Sequence, residues 1–143
     1  MMRVYVDEVR IRSSKRLEIL DITSQVEKSV SNSGISEGFV VIWEPHTTAA
    51  IAVNENDPEL WHDILKTFTQ LVPIQGDYRH NAKYSGIARE QNAHAHILNC
   101  LSGSSISIPL VRGKLTLGTW QRILFIELDG PRPRKVILEV VGE

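Results

Sequence analysis

Apolar and polar positions alternate at Val4 and Val6 and again at Leu17 and Ile19, the period of half-buried strands. The polar break Arg12-Ser13-Ser14-Lys15 between them predicts a hairpin in which these two strands pair. Ile22, Val26 and Val30 then recur at a helical interval, with Ser24 and Glu27 at capping-box spacing and Gly34 as the stop. Gly38 to Trp43 and Ala49 to Val53 are compact apolar runs, read as two central strands around the turn Glu44-Pro45-His46-Thr47-Thr48. Asp57 before Pro58 is an N-cap with proline at the first helical position. Leu60, Trp61, Ile64, Leu65, Phe68, Leu71 and Val72 continue it as one apolar stripe that Pro73 ends. Residues 73 to 94 read as a long loop, and a short helix is expected from Ala95 to Leu101 with Gly103 at its end. Three strands complete the chain, Ile106 to Val111, Thr119 to Leu128 and Lys135 to Val141, joined by turns at Arg112-Gly113 and Asp129-Gly130-Pro131 into an antiparallel meander. The fold class that follows is α+β: a single compact domain over 1–143, an antiparallel β-sheet or sandwich with about three helices packed against it.

Length agrees with that reading. A chain of 143 residues with 42% hydrophobic positions buries a core without disulfides. Sixteen Lys+Arg against 17 Asp+Glu leave a formal charge of -1. That charge, with aromatics at 6%, excludes a broad nucleic-acid surface, so any anion site is local. The single Cys100 forms no internal disulfide and reads as a core residue of the short helix. The N-terminus carries charges at short intervals and no apolar run approaches a membrane span of roughly 20 residues, so a cytoplasmic location without membrane association is expected.

Three of the histidines, His46, His80 and His96, fall in segments rich in Gly, Asn, Thr, Tyr and Ser rather than on an apolar stripe. Three neutral imidazoles with an open position suit zinc and related ions, although their spacing fits no compact metal motif. Polar loop histidines with no common role are the plain alternative. His94 and His96 lie on nearly opposite sides of the predicted helix, which disfavours joint ligation. His62 reads as a solvated position opposite the apolar stripe. Glu55, in Asn54-Glu55-Asn56-Asp57, is spare once Asp57 caps the helix, and is free to bind an ion, orient a histidine or act as a base. The turns Gly103-Ser104-Ser105 and Gly118-Thr119-Trp120-Gln121 can present hydroxyls and N–H groups to a phosphate, or serve as ordinary turns. Arg132 and Arg134 form the nearest local concentration of positive charge.

Taken together, His46-Thr47-Thr48-Ala49-Ala50, Asn54-Glu55-Asn56-Asp57-Pro58, Tyr78-Arg79-His80, Ala95-His96, Leu101-Ser102-Gly103-Ser104-Ser105 with Ile108-Pro109, and Gly118-Thr119-Trp120-Gln121 closely resemble the YjbQ family over nearly the whole chain. That family is also called secondary thiamine-phosphate synthase. The resemblance implies a compact α+β fold, a homotrimer and weak thiamine-phosphate synthase activity. His46, His80, His96, Glu55, Ser105, Trp120 and Gln121 fall on its pattern. Ser85 and the pair Gln91-Asn92 depart from it where acidic residues are common. The implied site has His46, His80 and His96 holding a divalent ion (zinc by ligand type, magnesium for diphosphate chemistry) with Glu55 beside them. Ser104, Ser105, Thr119, Gln121 and Arg134 would meet a small phosphorylated metabolite, and Trp120 would wall the pocket. A metal-dependent hydrolase and a non-enzymatic anion-binding trimer are the alternatives.

Overall fold

Strand pairing decides the architecture. The computed structural model describes residues 1–143 and contains two antiparallel sheets. One holds, in spatial order, β1 (Arg3–Arg12), β8 (Pro133–Gly142), β3 (Gly38–Trp43), β5 (Ser105–Val111) and β6 (Lys114–Leu115); the other holds β2 (Glu18–Asp21), β7 (Arg122–Glu127) and β4 (Ala49–Asn54). Three longer helices, α1 (Thr23–Ser33), α2 (Pro58–Leu71) and α4 (Ala93–Ser102), join a short α3 (Arg79–Lys83) and a 3-10 turn at Ala88–Glu90. The expected α+β class holds.

The two sheets face each other across the main core. Val40 and Ile42 of β3 and Val136, Leu138 and Val140 of β8 meet Ile51 of β4 and Ile123 and Phe125 of β7. Burial of each such side chain stabilises the fold by roughly 1.5–3 kcal/mol. The outer face of the smaller sheet, with Ala50, Leu124 and Ile126, packs on Ala95 and Leu98 of α4. Strand β7 is thus covered on both faces, which is why Ile123 to Ile126 read as an unbroken apolar run rather than an alternating one. Helix α1 seals one end of the sandwich with Val26 and Val30. The predicted stripe of α2 exists, but Trp61, Ile64, Leu65 and Phe68 only half-bury against the second cluster and Leu71 is exposed.

Local signals located most elements and misassigned several partners. Strand β1 does not form a hairpin with β2: it pairs along its length with β8, Arg3 opposite Gly142 and Arg12 opposite Pro133, while β2 pairs with β7. Alternation specifies which face of a strand is buried, not its neighbour, and a ten-residue ladder with β8 outweighs a short local pairing. The C-terminal strands are not a meander for the same reason, since β7 lies in one sheet and β8 is inserted between β1 and β3 of the other. At the start of α1 the Ser24 and Glu27 box is not formed; the Asp21 carboxylate instead accepts the Thr23 N–H at 2.9 Å and the Thr23 hydroxyl at 2.6 Å. Gly34 does end that helix, at φ 69°. Residues 119 to 121 are turn rather than strand, the stretch 73 to 94 contains α3, and Cys100 is exposed because α4 buries its His94, Ala95 and Leu98 side.

One close approach constrains the sandwich. Gly38 and Gly142 face each other across β3 and β8, and a Cβ on Gly38 would fall 1.9 Å from the Val141 carbonyl oxygen. Gly38→Ala is expected to destabilise the fold by about 1–3 kcal/mol, read as a lower midpoint in a thermal unfolding scan.

Candidate functional site

At the β4-entry end of the smaller sheet, polar groups enter the core. Glu127 closes β7 opposite Ala49, and Arg134 reaches it from β8. The Arg134 Nε donates to Glu127 Oε1 at 2.9 Å, and Nη2 donates to Glu127 Oε2 and to the carbonyl and hydroxyl oxygens of Thr48 at 3.0 and 2.9 Å. Ser13 donates its hydroxyl to Glu127 Oε1 at 2.6 Å, and the N–H groups of Leu128 and Asp129 donate to Oε2. The two side chains are 3% and 0% exposed, so this is a desolvated charge pair with most of its hydrogen-bonding capacity used. Burial pushes the Glu127 carboxyl upward, but Arg134, Ser13 and the Asp129 N–H together hold it below the usual carboxylate range.

A second buried carboxylate stands beside the pair. Glu44, which directly follows β3, is 0% exposed; its Oε1 accepts the His46 N–H at 2.9 Å and its Oε2 has no partner. Burial pushes its carboxyl up to about 7, against the pull of the His46 N–H, the Ser104 hydroxyl and the Arg134 charge. Two carboxylates therefore face one guanidinium, and only Glu127 is paired with it. Their proton affinities are driven apart, with Glu127 ionised and Glu44 able to carry a proton near neutrality.

The histidines divide around Thr47 and Thr48. The His46 Nε2 lies 3.1 Å from both the N–H and the carbonyl oxygen of Lys135, which pins the ring against β8 in either tautomer. Burial and the Arg134 charge hold His46 below its ordinary range. His80 on α3 and His96 on α4 are neighbours, with ring centroids 4.9 Å apart, and Tyr84 flanks His80 at 5.3 Å. Burial and the neighbouring His80 hold His96 below its ordinary range. His96 lines a hollow of about 340 Å³ together with Thr47, Thr48, Arg89, Glu90 and Arg132. Arg132 is braced there by Asp129, whose Oδ2 also accepts the Asn92 amide at 2.7 Å. His94 diverges from His96 as the helical spacing predicts, burying its ring with Nε2 3.2 Å from the Leu128 carbonyl oxygen. One chain brings no three His, Cys, Asp or Glu side chains close enough to share an ion. The expected three-imidazole site does not form within one chain: His46 is tied to a strand edge, whereas His80 and His96 are carried by helices.

Other expected residues separate further. Ser104 joins the site, its Oγ accepting the Asn99 amide at 2.9 Å, while the same amide donates to the Ala49 carbonyl at 2.7 Å. Ser105 is exposed on the outer sheet opposite Trp43. Arg134 is a buried structural cation bound to Glu127 and Thr48, not the open phosphate ligand expected of it. Glu55 and the Thr119-Trp120-Gln121 turn lie at the far end of the smaller sheet, where Asn54 pairs with Arg122. The length of β7, at roughly 3.3 Å per residue, stands between them and Glu127. Glu55 is therefore not beside the histidines; its carbonyl instead accepts the Trp61 indole N–H at 2.9 Å. Gln121 accepts the Gly118 N–H through Oε1 at 2.8 Å, and Trp120 is 73% exposed.

Glu44 and Glu127 escaped the reading of the sequence. Each left a trace, because a lone carboxylate ending or interrupting an apolar strand, as in GFVVIWE and ILFIEL, must be buried with a partner.

The chain matches the family described as UPF0047 protein YjbQ-like over residues 7–143. It is 43% identical over 134 residues to a UPF0047 protein of Archaeoglobus fulgidus, covering 94% of this chain and 99% of that one. YugU of Bacillus subtilis is 38% identical over 136 residues, covering 94% and 97%. Among solved structures, a YbjQ-like protein of unknown function from Sulfolobus solfataricus superposes with a TM-score of 0.94 at 39% identity over 100% of both chains. A hypothetical protein of Aeropyrum pernix follows at 0.91 and 44%, covering 97% of this chain and 99% of that one.

Proposed function

We propose, from the premise that the chain belongs to the UPF0047 YjbQ-like family, that it is an enzyme of low catalytic power acting on small phosphorylated metabolites, with thiamine-phosphate formation as its reaction. The observation that carries this reading is His96, which has His80 as its neighbour and opens with Arg89 and Arg132 into a hollow bounded by Thr47 and Thr48. Joining a pyrimidine methyl diphosphate to a thiazole phosphate breaks the bond from the methylene carbon to pyrophosphate, and the strongly cationic carbon so formed is captured by the lone pair of the thiazole nitrogen. A site for that step must hold two phosphorylated groups and stabilise the departing charge. Arg89 and Arg132 supply the positive charge. The imidazoles of His80 and His96 donate hydrogen bonds to phosphoryl oxygens or accept a proton. The Glu127–Arg134 pair holds the Thr48 wall in place through its bonds to that residue.

A divalent ion belongs to the proposal only in part, since this chain offers two adjacent imidazoles and no third donor. Zinc is the ion they favour, with magnesium the alternative if the phosphates bind it, and no step is drawn through either. A homotrimer is proposed with it. Val4, Val6, Phe39, Trp43 and Val111 are exposed on the outer face of the five-stranded sheet, an apolar patch of the kind subunits cover. No helix is long and apolar enough to cross a membrane, and a cytoplasmic enzyme is proposed.

The test is incubation with both thiamine precursors and fluorescent detection of thiamine phosphate. His80→Ala and His96→Ala are expected to lower product formation at least tenfold, the loss typical of a positioned acid–base group, with unchanged circular dichroism. No product from the wild-type protein with any divalent ion overturns the reading. Glu90 in the same hollow supports a second one, hydrolysis of a phosphorylated substrate with that carboxylate as base. Phosphate release from one precursor alone, lost in Glu90→Gln, would select it.

A further inference from the structure

A second cavity, of about 420 Å³, opens at the Arg12–Pro133 end of the β1–β8 ladder, the end opposite Val4 and Val6. It is lined by Arg10, Arg12, His46, Arg134 and Lys135. Arg10 pairs across the ladder with Lys135, and Arg12 with Pro133, so alternation along β1 and β8 puts the three cations on one face around the opening. Countercharge is scarce. Glu8 is the only acid bonded to the three, 3.2 Å from Arg10 and 3.8 Å from Lys135, and it is shared between them. Arg12 makes no ion pair or hydrogen bond through its side chain. Arg134 is neutralised from below by Glu127, and the His46 ring is fixed at the rim by the Lys135 backbone. The cavity thus carries a local excess of two positive charges in a chain whose net charge is -1.

We propose that this cavity is a binding site for a phosphoryl group, most fully occupied by a diphosphate. Arg12 and Arg10 would grip its oxygens in two-pronged fashion, with Lys135 as a point charge. The chemistry follows from the residues: guanidinium pairs match the tetrahedral oxygens of phosphate, and Ile11 and Pro133 are the two lining residues that carry neither a charge nor an imidazole. Size argues for a small phosphorylated molecule over a nucleic acid, because the positive charge is confined to one concave site that no Trp, Tyr or Phe lines. This site shares no lining residue with the hollow of His96 and does not depend on the reaction proposed there.

Calorimetric titration with inorganic diphosphate, inorganic phosphate and a single-stranded oligonucleotide, at low and moderate salt, tests it on the full chain. Diphosphate is expected to bind more tightly than phosphate, with affinity that falls as salt rises. Arg12→Ala should weaken diphosphate binding at this cavity at least tenfold, and Arg10→Ala with Arg12→Ala should abolish it there, leaving only what the hollow of Arg89 and Arg132 holds. Both side chains lie at the surface, so the variants keep the wild-type unfolding midpoint. Arg89→Ala, in the other hollow, should leave diphosphate affinity at this site unchanged. The proposal is overturned if wild-type protein fails to bind diphosphate, if the double variant binds as well as wild type, or if the oligonucleotide binds more tightly than diphosphate. Loss of binding in Arg89→Ala with retention in the double variant assigns the anion to the other hollow and equally overturns it. Failure of thiamine-phosphate synthesis with diphosphate binding intact leaves this site standing and removes only the reaction.

Discussion

Arg134→Met is expected to cost the fold about 3–5 kcal/mol, the loss that follows when one partner of a buried ion pair is removed. Methionine approximates the length of the side chain but brings neither charge nor donors. Glu127 would then be left 0% exposed, with the Ser13 hydroxyl and the Leu128 and Asp129 N–H groups but no countercharge, and the Thr48 carbonyl would keep only the Leu128 N–H. Urea unfolding at pH 7 measures this. The double variant Glu127→Leu with Arg134→Met should recover part of the stability, since removing both charges also removes the desolvation cost of each. A loss below about 1 kcal/mol in the single variant, the range of an exposed pair, would show that the pair is hydrated and does not frame the site. Because Glu127 is held below its ordinary range, its contribution is present above the unfolded carboxylate value of 4.5 and disappears as pH falls through the lower native value.

Glu44 works in the opposite sense. Its carboxyl is raised from 4.5 to about 7 in the folded protein, so the native state holds this proton more tightly than the unfolded chain does. Stability from this group is complete below 4.5, falls as pH rises from 4.5 to about 7, and is lost above that. The full difference amounts to roughly 3 kcal/mol at 1.36 kcal/mol per unit of pKa, an upper bound because a relaxed core lessens it. His46, His94 and His96, held low by burial, raise stability with pH over part of the same window. The readout is therefore the difference between Glu44→Gln and wild type, not either slope alone. Glu44→Gln should match wild type at pH 5 and exceed it at pH 8.5, by denaturant midpoint. Parallel curves would mean that Glu44 titrates as an ordinary carboxyl. In that case the unpartnered Oε2 must find a donor in solution.

The elements that could be read from the chain are those whose signal is local. Asp57-Pro58 set the start of α2 and Gly34 the end of α1, because caps and stops act within one turn. The compact run at Ala49 to Val53 became β4 because a strand covered on both sides needs apolar residues at every position, whereas the run at Gly38 to Trp43 became β3 with Phe39 and Trp43 exposed on its outer face. His80 and His96 were set apart by their polar surroundings, and they are neighbours in space. His46 was set apart with them, yet its ring faces the other cavity.

Residue identity and short-range periodicity set where most chain segments become strands or helices, which faces they bury, and which family pattern they carry. Only the tertiary structure decided which strands are neighbours, and with that which polar groups share a site. Once β8 lies between β1 and β3, Arg134 is drawn into the core beside Glu127 and Glu44, and Arg10, Arg12 and Lys135 are brought to one surface. The direction of β4 and β7 carries Glu55 and Trp120 to the opposite end of the sheet. Long-range pairing is a choice among many similar apolar strands. That choice is made by the packing of all of them together, and no window along the chain contains it.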